Sequence, residues 1–283
     1  MKKEIKNLLR EKKIWLQKRL GQNFLISKRV LEKIIEAGQL KKTDIVLEIG
    51  PGIGTLTKEL TRKVKKVITV EKDSRLIEIL KETLKDFRNV EILNEDILKI
   101  KNLKATLRGG ASARKIKNYK VVANLPYYIT APVIRKFLET EFPPESMVLM
   151  VQKEVGERIC AKPPKMSKLA VFSQFYGIPK IISHVSKKSF WPQPKVDSVI
   201  LKIIPRKSAL LSASIRFYFF RIVKAGFSQP RKQLINNLSQ GLNLSRQIVE
   251  KWLSKNNINP SQRAETLTVD NWINLTKTFN LMT

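Results

Sequence analysis

The stretch Asp44-Ile45-Val46-Leu47-Glu48-Ile49-Gly50-Pro51-Gly52-Ile53-Gly54 decides the fold. An apolar run, Ile45–Leu47, reads as a buried strand. It ends at an acidic residue and three alternating glycines, where the backbone can turn tightly and lie close to a ligand. Thr55–Arg62 then follows a helical pattern, completing a strand–turn–helix unit. The unit recurs downstream. Lys66–Val70 is a strand ending in Glu71, and Ser74–Lys85 is a helix capped by Asp73 or Ser74, with Leu76, Ile77, Leu80 and Leu84 on one face. Val90–Leu93 ends near Asp96, Tyr119–Ala123 ends at Asn124, and Met147–Val151 is a fifth strand. Strands alternating with helices predict an α/β fold with a parallel sheet and helices on both faces. Val30–Ala37 is expected as a helix before the sheet, and Ile181–Val185 with Ser198–Ile204 as a hairpin-like end to it.

From Ser208 onward only helical patterns remain: Ile215–Ala225, Arg231–Leu238, Ser245–Ser254 and Asp270–Phe279. The expected division is therefore a catalytic α/β domain over 1–206 and a small all-α domain over 207–283. Residues 1–19 form a basic N-terminal extension in which Ile5, Leu8 and Leu9 make too short a pattern to assign. Residues 101–117, with Arg108-Gly109-Gly110-Ala111-Ser112-Ala113-Arg114, are expected as a basic surface loop.

Composition narrows the function. The 283 residues carry 55 Lys+Arg against 24 Asp+Glu, a formal charge of +31. That balance favours a polyanionic partner, nucleic acid before membrane. No apolar run approaches the ~20 residues that span a bilayer, and the N-terminus lacks the apolar core of a secretory signal. The single cysteine, Cys160, excludes an internal disulfide framework, and with the single histidine, His184, it excludes Cys- or His-based metal sites. No metal is expected, and a cytoplasmic protein fits best.

Three carboxylates stand at the ends of successive strands: Glu48, Glu71 and Asp96. In a doubly wound sheet the carboxyl ends of the strands face one crevice. Glu71 is placed to accept ribose hydroxyls and Asp96 to accept from an adenine amine. A dinucleotide site would need G-x-G-x-x-G, whereas Gly50, Gly52 and Gly54 give G-x-G-x-G. That form, with the acidic strand ends, points to S-adenosylmethionine and to a Rossmann-like class I methyltransferase sheet. Asn124-Leu125-Pro126-Tyr127 opens into the same crevice. The Asn124 side-chain carbonyl and the backbone carbonyl of Leu125 or Pro126 can accept both N–H bonds of an exocyclic amine. Pro126 stiffens the turn, and Tyr127 offers a stacking face. The loop Phe190-Trp191-Pro192-Gln193-Pro194-Lys195-Val196-Asp197-Ser198 could supply Phe190 as an opposite face, or could be a plain turn with an apolar anchor.

Gln22-Asn23-Phe24-Leu25, the Glu48–Gly54 turn, Glu71, Asp96, Asn124–Tyr127 and the Phe190–Ser198 loop occur in the order found in ribosomal RNA adenine N6,N6-dimethyltransferases. From about Gln17 onward the chain resembles the small-subunit, kasugamycin-resistance (KsgA) type. The resemblance implies transfer of methyl groups from S-adenosylmethionine, released as S-adenosylhomocysteine, to two adjacent adenines in the 3′-terminal hairpin of small-subunit rRNA. It implies donor contacts at Asn23, Leu25, Gly50, Gly52, Glu71, Asp96 and Asn124. It implies that Asn124, Pro126 and Tyr127 hold the target adenine, with Phe190 as second stacking partner. The protein is expected as a monomer whose helical domain, through Gln229-Pro230-Arg231-Lys232, docks on rRNA or the assembling subunit. The longer 101–117 segment and Pro230 depart from the family pattern. Two alternatives stay open: a large-subunit methyltransferase of the macrolide-resistance type, and a non-catalytic binding factor.

Overall fold

The computed structural model describes residues 2–12, 21–108, 118–206 and 213–279. The chain divides into two compact units, Met1–Gly156 with Pro179–Pro205, and Glu157–Ile178 with Arg206–Thr283.

The first unit opens with helix α1 (Lys2–Glu11), the short strand β1 (Phe24–Leu25) and α2 (Lys28–Gly38). The repeating units follow as β2 (Ile45–Ile49), α3 (Thr55–Thr61), β3 (Lys66–Glu71), α4 (Ser74–Thr83), β4 (Val90–Asn94), α5 (Leu103–Arg108), β5 (Lys120–Asn124), α6 (Thr130–Leu138) and β6 (Ser146–Gln152). After α7 (Lys153–Ile159) and α8 (Lys168–Tyr176) come β7 (Gly177–Val185), β8 (Phe190–Trp191) and β9 (Ser198–Pro205). Seven strands form one sheet in the order β4-β3-β2-β5-β6-β9-β7. β4, β3, β2, β5 and β6 are mutually parallel, and β9 runs antiparallel to β6. Val46, Leu47, Val67, Ile68, Val121, Val122, Met147 and Leu149 are completely buried, as expected for parallel strands covered on both faces. Asp73 is the N-cap of α4, its carboxylate accepting from Arg75 N–H. Chain order reverses between β2 and β5, which makes their carboxyl ends the topological switch point of the sheet.

The 101–117 stretch is not loop throughout. Its start is α5, because the Asn102 side chain caps the Ala105 N–H at 2.9 Å and Leu103 is buried. The glycine-containing part, 109–117, and residues 13–19 of the extension lie outside the described residues.

The second unit contains α8 and the helices α9 (Ala213–Gly226), α10 (Leu234–Leu242), α11 (Arg246–Lys255) and α12 (Val269–Phe279). Its core holds the fully buried Trp252 and Trp272. The division differs from the expected 1–206 and 207–283, since Glu157–Ile178 groups with the C-terminal helices. Met166, Ala170 and Val171 share a core with Phe219 and Ile222, and Phe175 stacks on Phe219 at 4.0 Å. The expected helix 231–238 begins later, at Leu234, because Asn237 holds the preceding turn. Its amide donates to the carbonyls of Gly226 (2.7 Å) and Gln229 (2.9 Å), leaving Arg231 and Lys232 exposed.

Candidate active site

A cleft lies at the carboxyl ends of β2, β3, β4 and β5. Asn23, Leu25, Gly50, Gly52, Glu71, Asp96, Asn124, Pro126 and Tyr127 all line it. Gly50, Gly52 and Gly54 each adopt positive φ. At Gly52 the demand is double, because φ is +61° and an added Cβ would stand 2.9 Å from the Phe24 ring. The Glu71 carboxylate accepts from the Gly52 N–H of the turn (3.2 Å) and from the Asp73 N–H at the start of α4 (2.8 Å). Burial pushes the Glu71 carboxyl up, and these N–H groups offset part of that rise. Burial also pushes Asp96 up, but Lys72 at 2.9 Å and the Leu98 N–H outweigh it and hold the carboxyl below its usual value.

Glu48 is the unusual member. It is 1% exposed, and its Oε2 has no hydrogen-bond partner. Burial, reinforced by the charge of Glu71 and eased by nearby Thr57, pushes its carboxyl up to about 8. A buried, unsatisfied carboxyl at the wall of a cleft is costly alone and well matched to a cationic ligand. The sign of its effect on stability follows. The folded chain holds the proton from about pH 4.5 to about 8 while the unfolded chain releases it, so the ligand-free protein loses stability as pH rises through that window. Glu48→Gln is therefore expected to raise the melting temperature of the ligand-free protein at pH 8 and to leave it unchanged near pH 4. Thermal melts across pH check this; equal melting temperatures at pH 8 would contradict the buried-acid assignment.

Across the cleft, Asn124 ends β5. Its Nδ2 donates to the Asn23 carbonyl at 3.1 Å, which turns Oδ1 away as a free acceptor. The Pro126 carbonyl already accepts from Ile129 N–H at 3.1 Å. No backbone donor reaches the Leu125 carbonyl among the described residues, so Leu125 is the better second acceptor. The Tyr127 hydroxyl shares a 2.9 Å hydrogen bond with Ser198 Oγ, which fixes the ring at the cleft wall. Phe190 is not brought into the cleft. It is 3% exposed within the sheet core and pairs with Leu25 through the antiparallel β1–β8 ribbon. The same ribbon pairs Phe24 with Trp191, tying the donor-side segment to the loop that the sequence assigns to the acceptor side.

Three features escape sequence reasoning. Ile5 and Leu9 of α1 are buried against Phe24, Ile53, Leu76 and Ile79, so the extension helix packs on the wall of the cleft; a one-turn apolar stripe gives no sign of its partner. Gln22 donates to Asp73 Oδ2 at 2.8 Å, bracing the residue whose N–H holds Glu71. Tyr128 lines the cleft mouth and is half exposed. Among the described residues no group of His, Cys, Asp or Glu is placed to hold a metal ion.

The model of the ribosomal RNA adenine dimethylase family matches residues 15–281. The chain belongs to that family. A relative named ribosomal RNA small subunit methyltransferase A from Dehalococcoides mccartyi (strain CBDB1) is 43% identical over 260 residues, covering 90% of this chain and 86% of its own length. One of the same name from Alkaliphilus metalliredigens is 41% identical, covering 96% and 94%. Among solved structures, a dimethyladenosine transferase from Plasmodium falciparum superposes with a TM-score of 0.74 at 29% identity, covering 92% of this chain and 98% of that one. The 23S rRNA methyltransferase ErmE superposes with a TM-score of 0.73 at 25% identity, covering 91% and 100%. The family match thus reaches across both units.

Proposed function

We propose that the protein transfers methyl groups from S-adenosylmethionine to the N6 amines of two adjacent adenines in the 3′-terminal hairpin of small-subunit rRNA. The observation that carries this is the Asn124 amide, whose nitrogen is held by Asn23 so that its oxygen, with the Leu125 carbonyl, can grip an exocyclic amine. S-adenosylmethionine supplies an electrophilic methyl and leaves as S-adenosylhomocysteine. Its cationic methionine end suits the orphaned Glu48 oxygen, and the Gly52 cradle leaves room for close approach. Glu71 is assigned the ribose hydroxyls, Asp96 the adenine amine, and Asn23, Leu25 and Gly50 the remaining wall.

On the acceptor side, Asn124 Oδ1 and the Leu125 carbonyl accept the two N6–H bonds. They draw the nitrogen toward sp³ geometry and aim its lone pair across the cleft. Tyr127 stacks on the base, and Pro126 fixes the turn between them. The acceptors strengthen as the nitrogen becomes cationic, so they stabilise the transition state more than the ground state. The proton leaves after the nitrogen has become positive, and no strong base is needed beforehand. Phe190 can act as a second stacking face only if its ring leaves the core.

The small-subunit assignment rests on identities of 41–43% to relatives named for it, against 25% to ErmE. Nucleoside analysis of rRNA from cells lacking this modification, with and without the protein supplied, tests it. Dimethyladenosine at two adjacent positions of the small-subunit hairpin is expected, and its absence with soluble protein present would overturn the assignment. With a charge of +31, RNA affinity is expected to fall with a log–log salt slope of about −4 to −9, as when ~6–10 phosphates are neutralised. A flat response in a salt titration would show that the charge is not used on RNA. The protein is expected to act as a monomer in the cytoplasm; no described helix is long and apolar enough to cross a membrane.

A further inference from the structure

The helical unit contains a cavity of about 820 Å³ that shares no residue with the catalytic cleft. That volume lies within the range of ligand sites. Four cations from four segments face it: Lys162 before α8, Arg206 after β9, Arg216 on α9 and Lys277 on α12. The side chains of Lys162, Arg216 and Lys277 have no hydrogen-bond or ion-pair partner among the described residues. The unit as a whole carries sixteen Lys and Arg against four Asp and Glu, so four cations alone are unremarkable. What they surround is not. Phe175 and Tyr176 line the cavity, and both rings are braced from behind. Phe175 stacks on Phe219 at 4.0 Å, Tyr176 stacks on Phe220 at 5.6 Å, and the two meet edge to face at 5.0 Å. Arg206 is held at its backbone by Tyr176 and at Nε by the Gln174 carbonyl. The aromatic wall and one of the cations are therefore fixed before any ligand arrives.

We propose that this cavity takes one unpaired nucleotide of the RNA substrate. Cations at the rim suit a phosphate, and a fixed aromatic wall suits a base, since stacking is tolerant of base identity. Asp270 and Asn274 also line the cavity. A carboxylate disfavours a simple polyanion there and suits the N–H edge of a base. A nucleotide joins these three chemistries in one ligand. The cavity thereby adds a second point of RNA engagement, remote in sequence from the residues that grip the target adenine.

The probe is a fluorescein-labelled single-stranded hexaribonucleotide of mixed sequence, with guanosine monophosphate as the unlinked comparison. In the intact protein, Arg216→Glu with Lys277→Glu is expected to weaken hexamer binding at least about tenfold. Lys251→Glu with Lys255→Glu on α11 makes the same charge change outside the cavity and is expected to weaken it no more than about threefold. Guanosine monophosphate binding as tight as the hexamer's would make the site one for free nucleotides and overturn the proposal. So would equal losses in both pairs, or none in the first. A hexamer carrying 4-thiouridine is expected to crosslink to the peptide containing Phe175 and Tyr176; crosslinks confined to other peptides would also overturn it. S-adenosylmethionine binding in the same variants monitors the catalytic unit, and Lys277→Ala alone repeats the test with minimal risk to folding. Normal donor binding with unchanged hexamer binding would remove this cavity while leaving the methyl-transfer assignment standing.

Discussion

Asn124→Ala is expected to lower kcat/KM for methyl transfer by about 10³-fold, or ~4 kcal/mol of transition-state stabilisation. The target nitrogen is a poor nucleophile because its lone pair is delocalised into the ring, and the Asn124 oxygen is one of two acceptors that localise it. The side chain is held by a 3.1 Å bond from Nδ2 to the Asn23 carbonyl. Its removal costs the oriented acceptor as well as a strut of the donor wall. S-adenosylmethionine affinity is expected to fall by less than about tenfold, since only that strut is shared. Asn124→Asp keeps the acceptors and loses the strut, so it should retain more activity than Ala. Steady-state kinetics beside calorimetric donor binding separate the two effects. A variant within threefold of the parent in kcat/KM would remove the amine-gripping role.

Glu71→Ala is expected to raise the dissociation constant for S-adenosylmethionine about 100-fold. A carboxylate accepting a ribose hydroxyl is worth ~1.5–3 kcal/mol. The substitution also strips the acceptor from the Gly52 and Asp73 N–H groups, so the glycine turn loses its brace. Glu71→Gln keeps one oxygen acceptor and should fall between. Calorimetry on variants whose melting temperature stays above the assay temperature gives the answer. An unchanged dissociation constant for Glu71→Ala would refute the ribose assignment.

Much of the catalytic unit is legible because strand ends in a parallel sheet have no freedom. Once Ile45–Ile49, Lys66–Glu71 and Lys120–Asn124 are parallel neighbours, Glu48, Glu71 and Asn124 must open into one crevice. The glycine spacing carries its own demand, visible as positive φ at all three positions. Features that depend on tertiary packing are not written locally. An aromatic beside a proline can line a site or fill a core, and Phe190 fills the core because β8 pairs with β1. The face of α8 joins the helical unit through Ala170, Val171 and Phe175, a contact with residues more than forty positions away. The raised pKa of Glu48 comes from burial on every side, which no spacing encodes. The direction in which Asn124 points its oxygen follows from one backbone carbonyl a hundred residues upstream.

The most direct measurement is transfer of labelled methyl from S-adenosylmethionine to unmethylated small and large ribosomal subunits side by side, followed by nucleoside analysis. N6,N6-dimethyladenosine in small-subunit RNA, lost in Asn124→Ala, is the predicted result. Label confined to large-subunit RNA, or no label on either subunit from protein that binds the donor, would contradict it.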